Sequence, residues 1–487
     1  MLRICWNEQK ERIKCWMETR FLTRILISHT SLAFMYGIFL VLYELKFFRE
    51  VIPEIHPLLI AWAGCVTAYD IWIRQIWRKI PCWKPLALFV FFAGVTAVLN
   101  FETGLVVNIK GWILAILPLF AFLPTCLLAR KDKRTTSFLT SLLGGAVVAC
   151  LASMVSLVMY VNRVAETVTI CGVTDTVGIR YYFPNDPTSA VLLYGIYTDT
   201  NHAALYSLVL IVYGIVLLLA CIRGEYTQKW KNVMGGCSAV VSILVQSCYF
   251  PLANSRGAWL AMGIALFLSV FVFLYSQVIG KGGTARRCVV SLAVACIILG
   301  AVCGGFLGIR ASMATLASEL GFNDSTEVIE GAAEKDLFEK TNEEFGAGRI
   351  TIWQDALKLV GNKPIFGHGS GNISFYSKIY SPDGVIAAGK VDVHNSYLDL
   401  LLAYGVVGFI FLMGFFVVGI IRGLVQLIIT KHKCDVCFFL STAVVIIIAC
   451  GSCLLSCAFI NTTAMYFFML MATSYSLAEY ENKAARL

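Results

Sequence analysis

Residues 202–222 read HAALYSLVLIVYGIVLLLACI, a run of 21 residues without Asp, Glu, Lys or Arg. As a helix rising ~1.5 Å per residue it is ~30 Å long, the thickness of a bilayer's hydrocarbon core. A surface helix of a soluble protein keeps one charged face, and this run has none. It therefore reads as a membrane span, and comparable stretches recur along the chain. They fall at 25–43, 56–73, 85–101, 103–129, 136–161, 202–222, 232–251, 256–279, 287–309, 395–421, 435–456 and 459–478. The last two come from a single uncharged run, too long for one span, which folds near Phe459–Asn461. The expectation is an all-α integral membrane protein of about 12 transmembrane helices.

Composition agrees with this. Of the 487 residues 58% are hydrophobic and only 14% charged, and mean hydropathy is +0.76. So few charges cannot cover a soluble fold of this length, which excludes a soluble enzyme, a disordered scaffold and a nucleic-acid binder despite the net charge of +9. Most of the 18 cysteines lie inside apolar runs and read as small packing residues, with no zinc-spaced cluster.

The basic residues orient the bundle. Twenty-five of the 39 Lys and Arg fall at the N-terminus, at Arg74–Lys84, Arg130–Arg134, Arg223–Lys231, Lys281–Arg287 and Arg422–Lys433, and in the tail. These are alternate loops, so the positive-inside rule puts both termini in the cytoplasm. Trp72, Trp77 and Trp83 suit an interfacial belt there. Residues 1–24 form a basic cytoplasmic segment suited to the inner leaflet, and the span after it lacks the exit site of a cleaved signal. Residues 25–309 hold nine spans, with an external loop at 162–201 marked by aromatics and the turn residues Pro184–Pro187. A large extracytoplasmic loop, 310–394, is expected to contain short helices, among them an amphipathic one over about 349–360. Residues 395–478 hold three more spans, and 479–487 are a cytoplasmic tail.

Candidate chemistry gathers on the outer side. There is no G-x-x-x-x-G-K-[ST] for a nucleotide and no D-x-D pair for a divalent metal on a nucleotide sugar. Ionisable residues within the spans are few: Asp70 pairs with Arg74 at i,i+4, and Lys110 can snorkel. A proton-coupled carrier would keep acids or histidines at mid-membrane. By contrast, Asn254-Ser255-Arg256-Gly257 opens one span, Gly346-Ala347-Gly348-Arg349 opens the loop helix, and His394-Asn395 opens another span. Each helix start offers unpaired N–H groups and a positive dipole end, and two of them add a guanidinium suited to phosphate oxygens. Together they could form a diphosphate pocket with a base beside it.

These residues resemble the O-antigen ligase and polymerase superfamily of bacterial inner-membrane transferases. The resemblance is carried by Ser255-Arg256-Gly257-Ala258-Trp259-Leu260, by Arg349-x-x-x-Trp353 with Pro364-x-Phe366-Gly367-x-Gly369, and by His394-Asn395-x-x-Leu398 with Gly405-x-x-Gly408. Asp199-Thr200-Asn201-His202 is similar to the family's segment before the sixth span. Where the family often has a carboxylate before the first glycine of G-x-x-G, this chain has Tyr404.

The resemblance implies a GT-C-like helical bundle and metal-independent, inverting transfer without cofactor or nucleotide. The donor would be a glycan on undecaprenyl pyrophosphate, the acceptor a glycan, lipid or protein hydroxyl, and the setting the extracytoplasmic face of the bacterial plasma membrane in cell-envelope polysaccharide synthesis. Arg256 and Arg349 would hold the departing diphosphate, and His394 would be the general base. Ser255, Asn395, Asp399, His202 and His368 are supporting candidates. Blander roles stand beside them: Asp399 as an interhelical partner, His202 as a packing residue, and His368 as a flexible-loop residue or alternative base. Arg163 and Arg180 are loop or interfacial charges that could add to phosphate binding, and the acidic stretch 319–344 reads as a solvated face. The rival class is a lipid-linked oligosaccharide flippase, which needs its cations in a mid-membrane cavity.

Overall fold

The computed structural model describes residues 21–49, 55–75, 83–121, 134–170, 172–181, 191–277, 284–320, 349–370, 372–389 and 393–429. The expected spans 435–456 and 459–478, most of the 1–24 segment, most of the acidic stretch and the 479–487 tail lie outside these residues.

Where apolar runs are long, helices form. In chain order they are α1 (Phe21–Leu26), α2 (His29–Tyr43), α3 (His56–Tyr69), α4 (Trp83–Leu99), α5 (Leu105–Ala121), α6 (Arg134–Val161), α7 (Thr200–Ile222), α8 (Lys229–Leu252), α9 (Arg256–Gln277) and α10 (Thr284–Leu320). Beyond these come α11 (Arg349–Asn362), α12 (Ile373–Tyr380), α13 (Val385–Gly389) and α14 (Ser396–Ile429). Six of them, α6 to α10 and α14, are long and apolar enough to cross a membrane, while α2 and α4 are shorter apolar helices. Val289, Leu292 and Ile297 on α10 are exposed, an apolar surface that suits lipid rather than water. The chain is a helical membrane protein.

Two continuous cores hold the bundle. One joins α2, α3, α4, α6, α7 and α14 around Tyr36, Phe89, Leu142, Tyr206 and Phe415. The other joins α6, α7, α8 and α9 around Leu205, Tyr249, Phe250 and Ala258. Between α2 and α6 the backbones come close, since a Cβ on Gly145 would lie 3.1 Å from the Gly37 carbonyl oxygen. Small residues at such crossings let dispersion contacts replace the hydrophobic drive that lipid removes. At the opposite end of α3, a π-helical turn over Asp70–Arg74 carries a buried cluster. Arg74 donates to Asp70 at 3.1 Å, as the i,i+4 spacing predicts, and His29 also meets the Asp70 carboxylate.

Two features differ from the sequence expectation. Residues 162–201, read as an irregular loop in an all-α chain, contain an antiparallel sheet: β1 (Ala165–Ile170), β2 (Val173–Tyr181) and β3 (Val191–Gly195). Register runs from Ala165 opposite Gly178 to Ile170 opposite Val173, and Leu193 pairs with Ile179. The alternating Thr and Val of 165–177 favour strands, and Val177, Ile179 and Leu193 turn inward onto the bundle. Tyr197, just after β3, anchors the sheet by donating to the Ala149 carbonyl of α6 at 3.0 Å. The second difference is α10, which stays helical to Leu320 rather than ending near 309. Hydropathy falls after Ile309, but Ala311–Leu320 holds good helix formers, so the helix outlasts its apolar window.

Candidate functional site

The starts of α7, α9, α11 and α14 meet at one end of the bundle. Asp199 caps α7, its Oδ1 accepting from the N–H groups of Asn201 at 2.6 Å and His202 at 3.3 Å. Ser255 caps α9, accepting from the Ala258 N–H at 3.4 Å, and its hydroxyl donates to Asn201 Oδ1 at 2.8 Å. One side chain thus satisfies an orphan donor of its own helix and ties that helix to the first turn of α7. Arg256 follows at once, half-buried, as the first residue of α9.

Arg349, first residue of α11, is half-buried and lies within electrostatic reach of both Arg256 and Asp199. Burial and the Arg256 charge press its pKa below the usual arginine range, while Asp199 acts the other way. One turn along α11, the Trp353 indole N–H donates to the Val393 carbonyl at 3.1 Å, and Ile352, Ala356 and Leu359 share a small core with Val393 and Leu402. This fixes Val393, the residue before His394, against the helix that starts at Arg349. His394 itself has φ 53°, the left-handed region, which is costly for a side chain with a Cβ. Asn395 then caps α14, its Oδ1 accepting from Tyr397 N–H at 3.0 Å and Leu398 N–H at 3.2 Å. Asp399 lies in the first turn below that cap, half-buried.

Backbone strain marks the same end. Among the described residues the non-glycine positions with positive φ are Gln75, Arg163, Asn254 and His394. Three of these stand at this rim, after α6, before α9 and before α14. Such strain persists only where surrounding structure over-determines it, and it concentrates at functional sites.

His202 gives its backbone N–H to the α7 cap and is half-buried. His368 is not the flexible-loop residue its glycines suggest: it is 1% exposed, with its Nε2 on the Leu359 carbonyl at 2.8 Å and its ring packed against Tyr376 and Tyr380. Burial lowers its pKa; the Leu359 carbonyl opposes this, and Lys363 adds to it.

The glycine motifs have a structural use that sequence reading did not assign. Helix α14 breaks at Gly405, with φ 62° and ψ −174°. That break would leave the Leu402 and Ala403 carbonyls and the Val406 and Val407 N–H groups unpaired. Residues 364–369 supply all four partners: His368 N–H to Leu402 at 2.7 Å, Gly369 N–H to Ala403 at 2.9 Å, and the Pro364 and Ile365 carbonyls to Val406 at 2.8 Å and Val407 at 3.3 Å. Thr96 of α4 and Asn100 just past its end hold the clasp from behind through the Phe366 and Gly367 carbonyls, at 2.7 and 3.2 Å. Lys363 donates to Asn100 Oδ1 at 2.8 Å and covers the Tyr376 ring. No local signal in α4 announces these partners, because they lie more than 260 residues away. Among the described residues no group of three His, Cys, Asp or Glu is placed to hold a metal ion.

Comparison with known proteins matches the segment that builds this end. Residues 239–413 match the O-antigen ligase family. The matched segment contains Ser255, Arg256, Arg349, the clasp, His394 and Gly405–Gly408. A similar protein, from Haemophilus influenzae and described as uncharacterized, is 26% identical over 189 residues, which is 38% of this chain. The alignment covers 42% of that relative's length.

Proposed function

We propose that this chain is a membrane glycosyltransferase of the O-antigen ligase type. It moves a glycan from a polyprenyl-diphosphate carrier to an acceptor hydroxyl. The observation that carries the reading is the Arg256–Arg349 pair. Two guanidinium groups stand at the first residues of α9 and α11, half-buried and within electrostatic reach of each other and of Asp199, a concentration of fixed positive charge and helix N-termini suited to a diphosphate.

The division of labour follows from what the reaction needs. The acceptor oxygen attacks the anomeric carbon from the face opposite the diphosphate and gives its proton to His394. The bond from that carbon to the diphosphate oxygen breaks, and its electron pair leaves with the diphosphate. Arg256 and Arg349 neutralise the charge that builds there, the kind of fixed electrostatic stabilisation that supplies much of a transferase's rate. The family match over 239–413 supports this reading. The alternation of basic loops supports twelve spans, cytoplasmic termini and an extracytoplasmic site. Arginines at the first residue of α9 and of α11 favour a transferase over a carrier with a mid-membrane cavity.

The test supplies purified protein in lipid vesicles with a polyprenyl-diphosphate glycan and follows products by intact mass, with excess chelator present. Wild type is expected to form product. His394→Ala is expected to abolish transfer while leaving donor binding intact, and Arg349→Lys to weaken donor binding about tenfold, the loss of one bidentate contact. Unchanged product from His394→Ala, or a strict need for divalent metal, overturns the assignment. The mass of the product identifies the acceptor as glycan, lipid or protein.

A further inference from the structure

A third arginine stands at the same rim, on an element that sequence reading left outside the site. Arg287 and Arg310 bracket 22 uncharged residues of α10, 288–309. At ~1.5 Å per residue that is ~33 Å, so Arg310 emerges at the membrane boundary opposite Arg287. An arginine at that depth commonly anchors a helix by reaching outward to lipid phosphates. Arg310 instead turns inward, and its Nη1 donates to the Asn254 side-chain oxygen at 3.4 Å.

Asn254 is two residues before Arg256 and immediately before the Ser255 cap. Its φ of 52° holds the backbone in the left-handed region, a conformation Asn tolerates better than most residues because its short polar side chain bonds locally. The strained position therefore aims a carboxamide at α10 and ties the third guanidinium to the loop that carries the first. A fourth cation adds to the field. Tyr160, at the end of α6, lies within electrostatic reach of both Arg310 and Arg163, and Arg163 is only 7% exposed with φ 52°. Arg310 thus brings a further positive charge to the loop that carries Arg256, with Arg163 within reach of the same Tyr160.

We propose that Arg310 is a specificity residue of the donor site: it receives the second phosphate of a lipid diphosphate, and so makes the protein prefer a diphosphate carrier to a monophosphate one. This rests on the function proposed above. A lipid diphosphate bears two phosphate groups, and its charge grows as the sugar leaves. Two cations match one phosphate, and a third set beside them matches a group that only the diphosphate has.

The test measures competition by polyprenyl diphosphate and polyprenyl monophosphate for full-length protein in phosphatidylcholine nanodiscs. Wild type is expected to prefer the diphosphate. Arg310→Gln is expected to weaken diphosphate binding about tenfold, the scale of one charge-assisted hydrogen bond, and to leave monophosphate binding unchanged. Asn254→Gly keeps the left-handed backbone but removes the carboxamide, and is expected to shift the ratio in the same direction by less. Equal weakening of both lipids by Arg310→Gln overturns the specificity role. No change for either lipid makes Arg310 an interfacial anchor and overturns the proposal outright. If Arg256→Gln leaves both affinities untouched, the underlying site reading fails, a result distinct from a failure confined to Arg310.

Discussion

Two histidines of this chain show how environment decides use. His394 sits half-buried at a helix start, in a backbone conformation that a glycine would adopt at lower cost. His368 is enclosed by Tyr376, Tyr380 and the Leu359 carbonyl. Because burial lowers the His368 pKa, with Lys363 adding to the effect, the folded chain resists protonation that the unfolded chain accepts. The sign follows: stability is full above the ordinary histidine value and declines as pH falls through it. Thermal midpoints in detergent are expected to drop between about pH 7.5 and about pH 5.5, a window that brackets that value. His368→Gln, which can still donate to Leu359, is expected to flatten that drop. Parallel slopes for wild type and variant would show that His368 is not the group being titrated.

At the scale of elements, the break in α14 is the feature most exposed to a single methyl group. A Cβ on Gly405 would lie 2.3 Å from the Ile365 carbonyl oxygen, in a backbone region that is essentially glycine's own. Gly405→Ala is expected to cost more than about 2 kcal/mol and to lower the yield of folded protein sharply. Gly414→Ala, further along the same helix with nothing within 4 Å of its added Cβ, is expected to be neutral or to gain ~0.5–1 kcal/mol. Size-exclusion profiles after a heating series separate the two, and equal profiles would remove the clasp from the account. The contrast also marks what could be read from sequence. The helix starts at Ser255 and Asn395 were legible because a polar residue beside an apolar run is a local signal, whereas Asp199 stood out only through the family resemblance. The amphipathic spacing of Ile350, Trp353, Leu357 and Val360 placed α11, which runs Arg349–Asn362, but not its packed face: Ile350 and Leu357 are exposed, and Ile352, Ala356 and Leu359 face the core. The break was not legible: a glycine inside a helix pattern looks the same whether or not four partners wait elsewhere.

For the molecule as a whole, hydropathy located the long apolar helices, while contacts between distant residues build the candidate site. The Ser255–Asn201 bond joins positions 54 apart, and Arg256 and Arg349, 93 positions apart, start helices that come within electrostatic reach of one another. Neither follows from any window of sequence. The sheet over 165–195 differs from the expected loop for another reason: its Thr and Val alternation is a strand signal, but a segment between two spans that carries turn residues has the marks of a loop. Topology remains open to direct test. Single cysteines introduced into an otherwise cysteine-free chain, at Arg78, Arg130 and Lys229, are expected to react with a membrane-impermeant thiol reagent only after the membrane is opened. One at Glu166, on the exposed strand β1, is expected to react in intact cells. The reverse pattern would invert the bundle and move the arginine rim to the cytoplasm.

The joining of residues 364–369 to the gap in α14 has a consequence for how such chains can be recombined. Each of the two segments completes the other's main-chain bonding, so neither is an independent module. A chimera that exchanges only the extramembrane portion with a relative would carry half of a matched set into the bundle. Exchanges whose boundaries keep 364–369 and 402–407 from the same parent should assemble, and those that divide them should not.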